Sequence, residues 1–210
     1  GYQEVCEPMI ENEPYGRRLN HGSRALAELD ICNTFQNVHN VSLPLFVDDF
    51  DGITENTMEK INQFDRQMIF LKATEGSTHI DTKYSTYLKK SRELGIPVGA
   101  YHFFSYQSKG KSQAENFIQN AKLTKGDIYP VLDVEFQRNM KDEAWIKREI
   151  KAFCEQIKEE YGVYPIVYCE CDYYNRYLKE DFSDFTYWIS DFYREPRCDY
   201  AIWQYTDKGF

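Results

Sequence analysis

From residue 43 onward, runs of consecutive apolar residues alternate with stretches whose apolar positions recur at helical spacing. Residues 43–49 read as a strand, residues 56–64 as a helix, and residues 67–74 (Gln-Met-Ile-Phe-Leu-Lys-Ala-Thr) as a second, buried strand. Residues 82–94 have helical spacing and stop at Gly95, a natural position for a left-handed C-terminal cap. The alternation continues with a strand over 96–104, a helix over 111–123 that closes before Gly126, and a strand over 128–135. A long helix over 142–161 closes at Gly162, and a fifth strand follows over 164–169. Then the pattern changes. Residues 172–178 form a short helix at best, and residues 185–190 and 200–206 read as strands with little helix between them.

Unbroken apolar strands separated by amphipathic helices predict a parallel sheet covered by helices, an α/β fold. Five β-α units followed by extra strands point to a TIM-like β/α barrel rather than an open sheet. An open doubly wound sheet would bring a glycine-rich phosphate loop, and neither that fingerprint nor a P-loop occurs here. Residues 1–42 depart from the pattern. Residues 4–18 are polar and turn-rich, with Pro8 and Pro14, whereas residues 26–35 (Leu-Ala-Glu-Leu-Asp-Ile-Cys-Asn-Thr-Phe) read as one more strand. A length of 210 residues suits one domain. The expected organisation is residues 1–25 as an extension, 26–35 as a candidate strand and 43–210 as the core.

Composition narrows the partners. A net charge of -9 argues against nucleic acid, which needs a basic face, and against long-range attraction to an anionic surface. No apolar run is long enough to span a membrane, and no signal-peptide pattern opens the sequence. The 17 Tyr and 14 Phe make the chain rich in rings, and tyrosine suits sugar binding because the ring stacks while the hydroxyl hydrogen-bonds. Most such rings fill cores. The cysteines are Cys6, Cys32, Cys154, Cys169, Cys171 and Cys198. Cys169 and Cys171 are separated by one residue, not by the two of a Cys-x-x-Cys motif, so buried thiols or one or two structural disulfides are expected rather than a metal site. No cofactor is expected.

The chemistry concentrates on the strand over 128–135. Asp133 and Glu135 are two apart, so on a strand they share a face, roughly 6.6 Å apart along the chain. They sit at the strand's C-terminal end, where β/α barrels carry their active sites. Leu132 and Val134 then face the helices. Two close carboxylates raise one pKa, and a protonated acid beside an ionised partner is what glycoside hydrolysis requires. The plain alternative is a strand end with two solvated carboxylates. Asp48, Asp49 and Asp51 form a further acidic cluster at the end of the first strand. Alternation lets only one of Asp48 and Asp49 face the barrel mouth. A divalent metal is the competing reading of such acids, but no histidine stands at ligand spacing. His102, inside the third strand, reads equally as a hydrogen-bonded core residue. His21, His39 and His79 form no constellation.

These segments together resemble glycoside hydrolase family 25, the muramidases that include the Chalaropsis-type and phage endolysin lysozymes. Phe-Val-Asp at 46–48 resembles the family's opening Gly-Ile-Asp, and Met-Glu-Lys-Ile at 58–61 stands where the family has Trp-Glu-Lys-Val, which favours Asp48 over Asp49. Lys-Ala-Thr-Glu-Gly at 72–76, Gly-Ile-Pro-Val-Gly-Ala-Tyr-His-Phe at 95–103 and Pro-Val-Leu-Asp-Val-Glu at 130–135 continue the match in order. So do Tyr-Pro-Ile-Val-Tyr at 164–168, Tyr-Trp-Ile-Ser at 187–190 and Ile-Trp-Gln-Tyr-Thr-Asp at 202–207.

The resemblance implies a β/α barrel of five β-α units and three further strands. It implies hydrolysis of the β-1,4 bond between N-acetylmuramic acid and N-acetylglucosamine in peptidoglycan, by a monomer acting outside the cytoplasm. It makes Glu135 the general acid/base, and Asp133 the residue that orients the substrate's N-acetyl group as internal nucleophile. Asp48 would support the site, and Tyr101, Tyr168, Trp188 and Trp203 would line the sugar groove. The family's last strand reads Val-Asp-Leu-Asn, and Leu29-Asp30-Ile31-Cys32-Asn33 resembles it. Residues 26–35 are therefore expected to take the eighth strand position by circular permutation, with Asp30 as a fourth carboxylate. Phe46 and Asp49-Phe50 replace the family's Gly and Val-Ser, a departure that bears on groove shape and substrate preference.

Overall fold

The computed structural model describes residues 68–205 with their side chains, and the short strands at residues 9–10, 13–14 and 45–47 as backbone. Met9–Ile10 (β1) and Glu13–Pro14 (β2) pair antiparallel as a small ribbon. The main sheet contains Leu45–Val47 (β3), Ile69–Glu75 (β4), His79–Ile80 (β5), Val98–Phe103 (β6) and Val131–Asp133 (β7). Ile166–Glu170 (β8), Tyr187–Ser190 (β9) and Ile202–Gln204 (β10) complete it. The spatial order is β10-β9-β8-β7-β6-β4-β3, all neighbours parallel, with β5 hairpinned antiparallel onto β4.

Parallel neighbours need long crossovers, and among the described residues three helices supply them: Tyr84–Glu93 (α1), Gly110–Ala121 (α2) and Glu143–Tyr161 (α3). After β8 a single turn, Cys171–Tyr173 (α4), runs into a π-helical turn at Tyr174–Leu178. The caps follow the sequence. Asp142 accepts the Trp145 amide at 2.9 Å to open α3. Gly95 and Gly162 hold φ of 69° and 76° where α1 and α3 stop. The expected helix at 56–64, the strand at 26–35, Asp30, Asp48 and the cysteines Cys6 and Cys32 lie outside the described residues.

Strand alternation sorts the apolar residues into two clusters. Ile69, Leu71, Leu132, Val134, Val167 and Ile189 face the helices and join the larger core. Phe70, Tyr101, Val131, Ile166, Tyr168 and Trp188 form a second buried cluster on the other face. The geometry of that second cluster shows strong curvature. β4 and β9 stand four positions apart in the strand order, which in a flat sheet at about 4.8 Å per step would separate them by roughly 19 Å. Yet the rings of Phe70 on β4 and Trp188 on β9 have centroids 4.9 Å apart. The sheet curls until strands far apart in order touch across its concave face. Gly99 on β6 makes room for this contact, since a Cβ there would lie 2.6 Å from the Phe70 ring.

On the helix side, α2 docks onto α3 at its first residue. The Gly110 amide donates to the buried Glu149 carboxylate at 2.9 Å, so a side chain of α3 satisfies an amide that α2 leaves open. A Cβ on Gly110 would stand 1.8 Å from the Glu149 carbonyl oxygen. Gly110→Ala must therefore push the helices apart and is expected to cost at least about 2 kcal/mol in denaturant melts. Gly162→Ala meets open space and suffers only the left-handed backbone, about 1 kcal/mol. Equal losses for the two variants would show that this close approach does not govern packing.

Candidate functional site

The C-terminal strand ends define one rim of the concave face. Register aligns Glu75, Phe103, Asp133, Tyr168, Trp188 and Ile202 in a single row across β4, β6, β7, β8, β9 and β10. Lys72, Tyr101, Val131 and Ile166 form the row beneath. Asp133 is thus on the concave face and 4% exposed. Glu135 follows two residues on, half-buried, just past the end of β7. Backbone bonds extend the ladder here: Phe104 N donates to Asp133 O at 2.9 Å, and Val134 N donates to Tyr168 O at 3.0 Å. Val134 turns to the helix core, as the alternation requires.

The four aromatic positions divide. Tyr168 and Trp188 share the row of Asp133, and their rings meet edge to face at 5.6 Å. Tyr101 lies one row deeper, 1% exposed. Trp203 pairs with Ile189, a residue of the helix-side core, so the structure does not bring it to the carboxylate row. Its indole N–H donates to the Asp191 carbonyl at 2.9 Å and braces the turn after β9.

A model described as glycosyl hydrolases family 25 matches residues 48–210. The chain belongs to this family. It is 32% identical over 147 residues to the Escherichia coli (strain K12) protein YegX, covering 68% of this chain and 54% of that one. It is 25% identical over 164 residues to the autolytic lysozyme of Clostridium acetobutylicum, covering 77% of this chain and 47% of that one. The chain spans about half the length of the curated relatives it matches. A family 25 glycosyl hydrolase from Bacillus anthracis superposes with a TM-score of 0.73 at 30% identity, over 80% of each chain.

Two charged residues of this family 25 chain join the concave face by a route that sequence alternation misses. Register shifts between Lys72 and Thr74, so Ala73 is a bulge residue. Thr74 then pairs with His102, on the helix side, and Glu75 returns to the concave face beside Phe103. Lys72 and Glu75 consequently share a side and form an ion pair at 3.1 Å, with the Lys72 ammonium 5.0 Å from the Phe103 ring centre. Both residues stand in the Lys-Ala-Thr-Glu-Gly segment, but period two alone would set them on opposite faces. Among the described residues no group of three His, Cys, Asp or Glu side chains is placed to hold a metal ion. The acidic cluster at Asp48, Asp49 and Asp51 lies outside them. Cys171 bonds to Cys198, while Cys154 and Cys169 are buried thiols that burial pushes above their ordinary range.

His102 is a core residue. Its ring is fully buried, stacks on Phe153 at 4.9 Å and meets Phe117 edge-on at 6.2 Å. Gln113 fixes its protonation. The Gln113 Oε1 accepts from the Ser105 amide at 2.8 Å, and its Nε2 donates to the carbonyls of Ser105 and Ser108. His102 Nε2, 3.0 Å from that Oε1, must therefore carry a proton, and Nδ1 accepts from the Thr74 hydroxyl at 2.8 Å. Burial lowers the imidazole from 6.5 to about 4, against the Gln113 hydrogen bond, which raises it.

This shift sets a pH dependence. Between 6.5 and about 4 the unfolded histidine binds a proton and the folded one does not. Stability therefore rises with pH across that window, and acidification to pH 4 removes about 3 kcal/mol through this group. His102→Gln should shrink the difference between denaturant stabilities at pH 7 and pH 4 by about that amount. An unchanged difference would contradict a neutral, buried His102.

Proposed function

We propose that the chain hydrolyses the β-1,4 bond between N-acetylmuramic acid and N-acetylglucosamine in peptidoglycan. The observation that carries this reading is a nearly buried Asp133 at the C-terminal rim of a curled parallel sheet, with Glu135 two residues on, just past the strand end. Membership of family 25 and similarity to a protein named as an autolytic lysozyme support it. In this reading Glu135 protonates the leaving glycosidic oxygen and later activates water. Asp133 orients the substrate's N-acetyl group, whose oxygen attacks the anomeric carbon, so configuration is retained by substrate assistance. Tyr168 and Trp188 form the floor of the sugar groove with Tyr101 beneath, and Trp203 supports the rim from the opposite face.

Asp48 supplies a third carboxylate from the segment after β3. β3 and β10 are the two ends of the strand order. Residues 26–35 lie outside the described residues; in this reading they are the closing strand of a barrel, with Asp30 as the fourth carboxylate. The support for this placement is the match of Leu29-Asp30-Ile31-Cys32-Asn33 to the family's last strand. The disulfide between Cys171 and Cys198 supports an extracytoplasmic site of action, since such bonds persist in oxidising compartments.

The test is release of reducing ends from purified peptidoglycan, with chitin for comparison. Glu135→Gln is expected to lower the rate by at least about a hundredfold, and equal activity would remove Glu135 from its role. Turnover of chitin alone would move the substrate to another N-acetylated glycan. The first product should be the β-anomer by proton NMR. Asp30→Asn should lower kcat at least about tenfold, whereas an unaffected rate would remove residues 26–35 from the rim.

A further inference from the structure

The backbone of Glu135 is held from behind. Tyr106, on the loop after β6, is 0% exposed, and its hydroxyl donates to the Glu135 carbonyl oxygen at 2.9 Å. The hydroxyl of Tyr173 in α4, also 0% exposed, lies 2.7 Å from that of Tyr106. The Tyr106 proton already points at the carbonyl, so Tyr173 must donate the bond between the two phenols. Burial raises both phenols well above their ordinary range, and each keeps its proton. Their rings are packed in place. Phe104 meets Tyr106 at 5.4 Å, while Phe136 and Tyr177 meet Tyr173 at 5.2 Å and 4.8 Å.

Residue 135 needs such a hold. β7 ends at Asp133, so the regular ladder no longer fixes the peptide that carries the carboxylate. The segment holding Tyr106 also grips the other acid, because Phe104 N donates to Asp133 O at 2.9 Å. One loop therefore sets the backbone of both carboxylates relative to each other.

We propose that Tyr106 is a positioning residue for Glu135 and that Tyr173 acts through Tyr106. The proposal rests on Glu135 being the acid of the reaction proposed above. Without the Tyr106 hydroxyl the peptide after Glu135 can rotate, and the carboxyl leaves its line with the glycosidic oxygen. Misplacement of about 1 Å costs up to a hundredfold in rate.

Tyr106→Phe keeps the ring and removes the bond. On peptidoglycan it should lower kcat by about ten- to a hundredfold and leave KM within about twofold, since the hydroxyl touches no sugar. The 13C signal of the Glu135 backbone carbonyl should move upfield as its hydrogen bond is lost. Tyr173→Phe should have a smaller effect, and the double variant should be no slower than Tyr106→Phe alone. Multiplying effects would overturn action through Tyr106. A carbonyl signal that does not move, or one that moves while kcat holds, would overturn the positioning role. If Tyr106→Phe does not fold, Tyr173→Phe carries the same two readouts. Absence of turnover by the unmodified protein would overturn the hydrolase reading and the positioning role with it. That case is recognised because the carbonyl signal still responds to Tyr106→Phe.

Discussion

The contact between Phe70 and Trp188 is the constraint on which the rest of the architecture turns. A parallel sheet with helices on one face must still bury the other, and these strands carry large apolar residues on both. The concave face buries its own by curling until β4 meets β9. That curl aims the C-terminal ends of seven parallel strands toward a common centre. Strand register puts Asp133 in one row with Glu75, Tyr168 and Trp188, residues far from it in sequence.

The outer layer supports the rim through buried amides. Gln113 and Asn116 lie on the inward side of α2, and both bond to loop backbone at the ends of strands. Gln113 organises residues 105–108 after β6, and Asn116 donates to the carbonyls of Gly76, on the turn after β4, and of His79, at the start of β5. A buried amide left unsatisfied is costly, so these side chains specify loop conformation as well as adding stability. The close seat of Gly110 on α3 brings α2 near enough for its amides to reach these loops.

The sequence was most legible where structure depends on local spacing. Apolar runs located β4 and each strand from β6 to β10, but not the exposed two-residue β5, and the ladders are shorter than the runs, as with 128–135 against Val131–Asp133. Gly95 and Gly162 marked helix ends because a left-handed residue is a local requirement. The place of Asp133 at the C-terminal end of its strand followed from the same local reading. Features that depend on pairing with distant residues were not legible. The bulge at Ala73 exists only in the register of β4 against β6, and it changes the face of Glu75. The face of Trp203 depends on its pairing with Ile189. The bond between Cys171 and Cys198 spans 27 residues without a spacing motif, and the partners of His102 are Thr74 and Gln113, 28 and 11 residues away.

The disulfide has a consequence for the backbone of residue 135. Cys171 opens α4, and Tyr173 is two residues further along the same turn. From Cys198 through Cys171, Tyr173 and Tyr106 to the carbonyl of Glu135, covalent and hydrogen bonds run without a break. A change at either cysteine is therefore felt first at the turn that carries Tyr173 and, through Tyr106, at the backbone of residue 135.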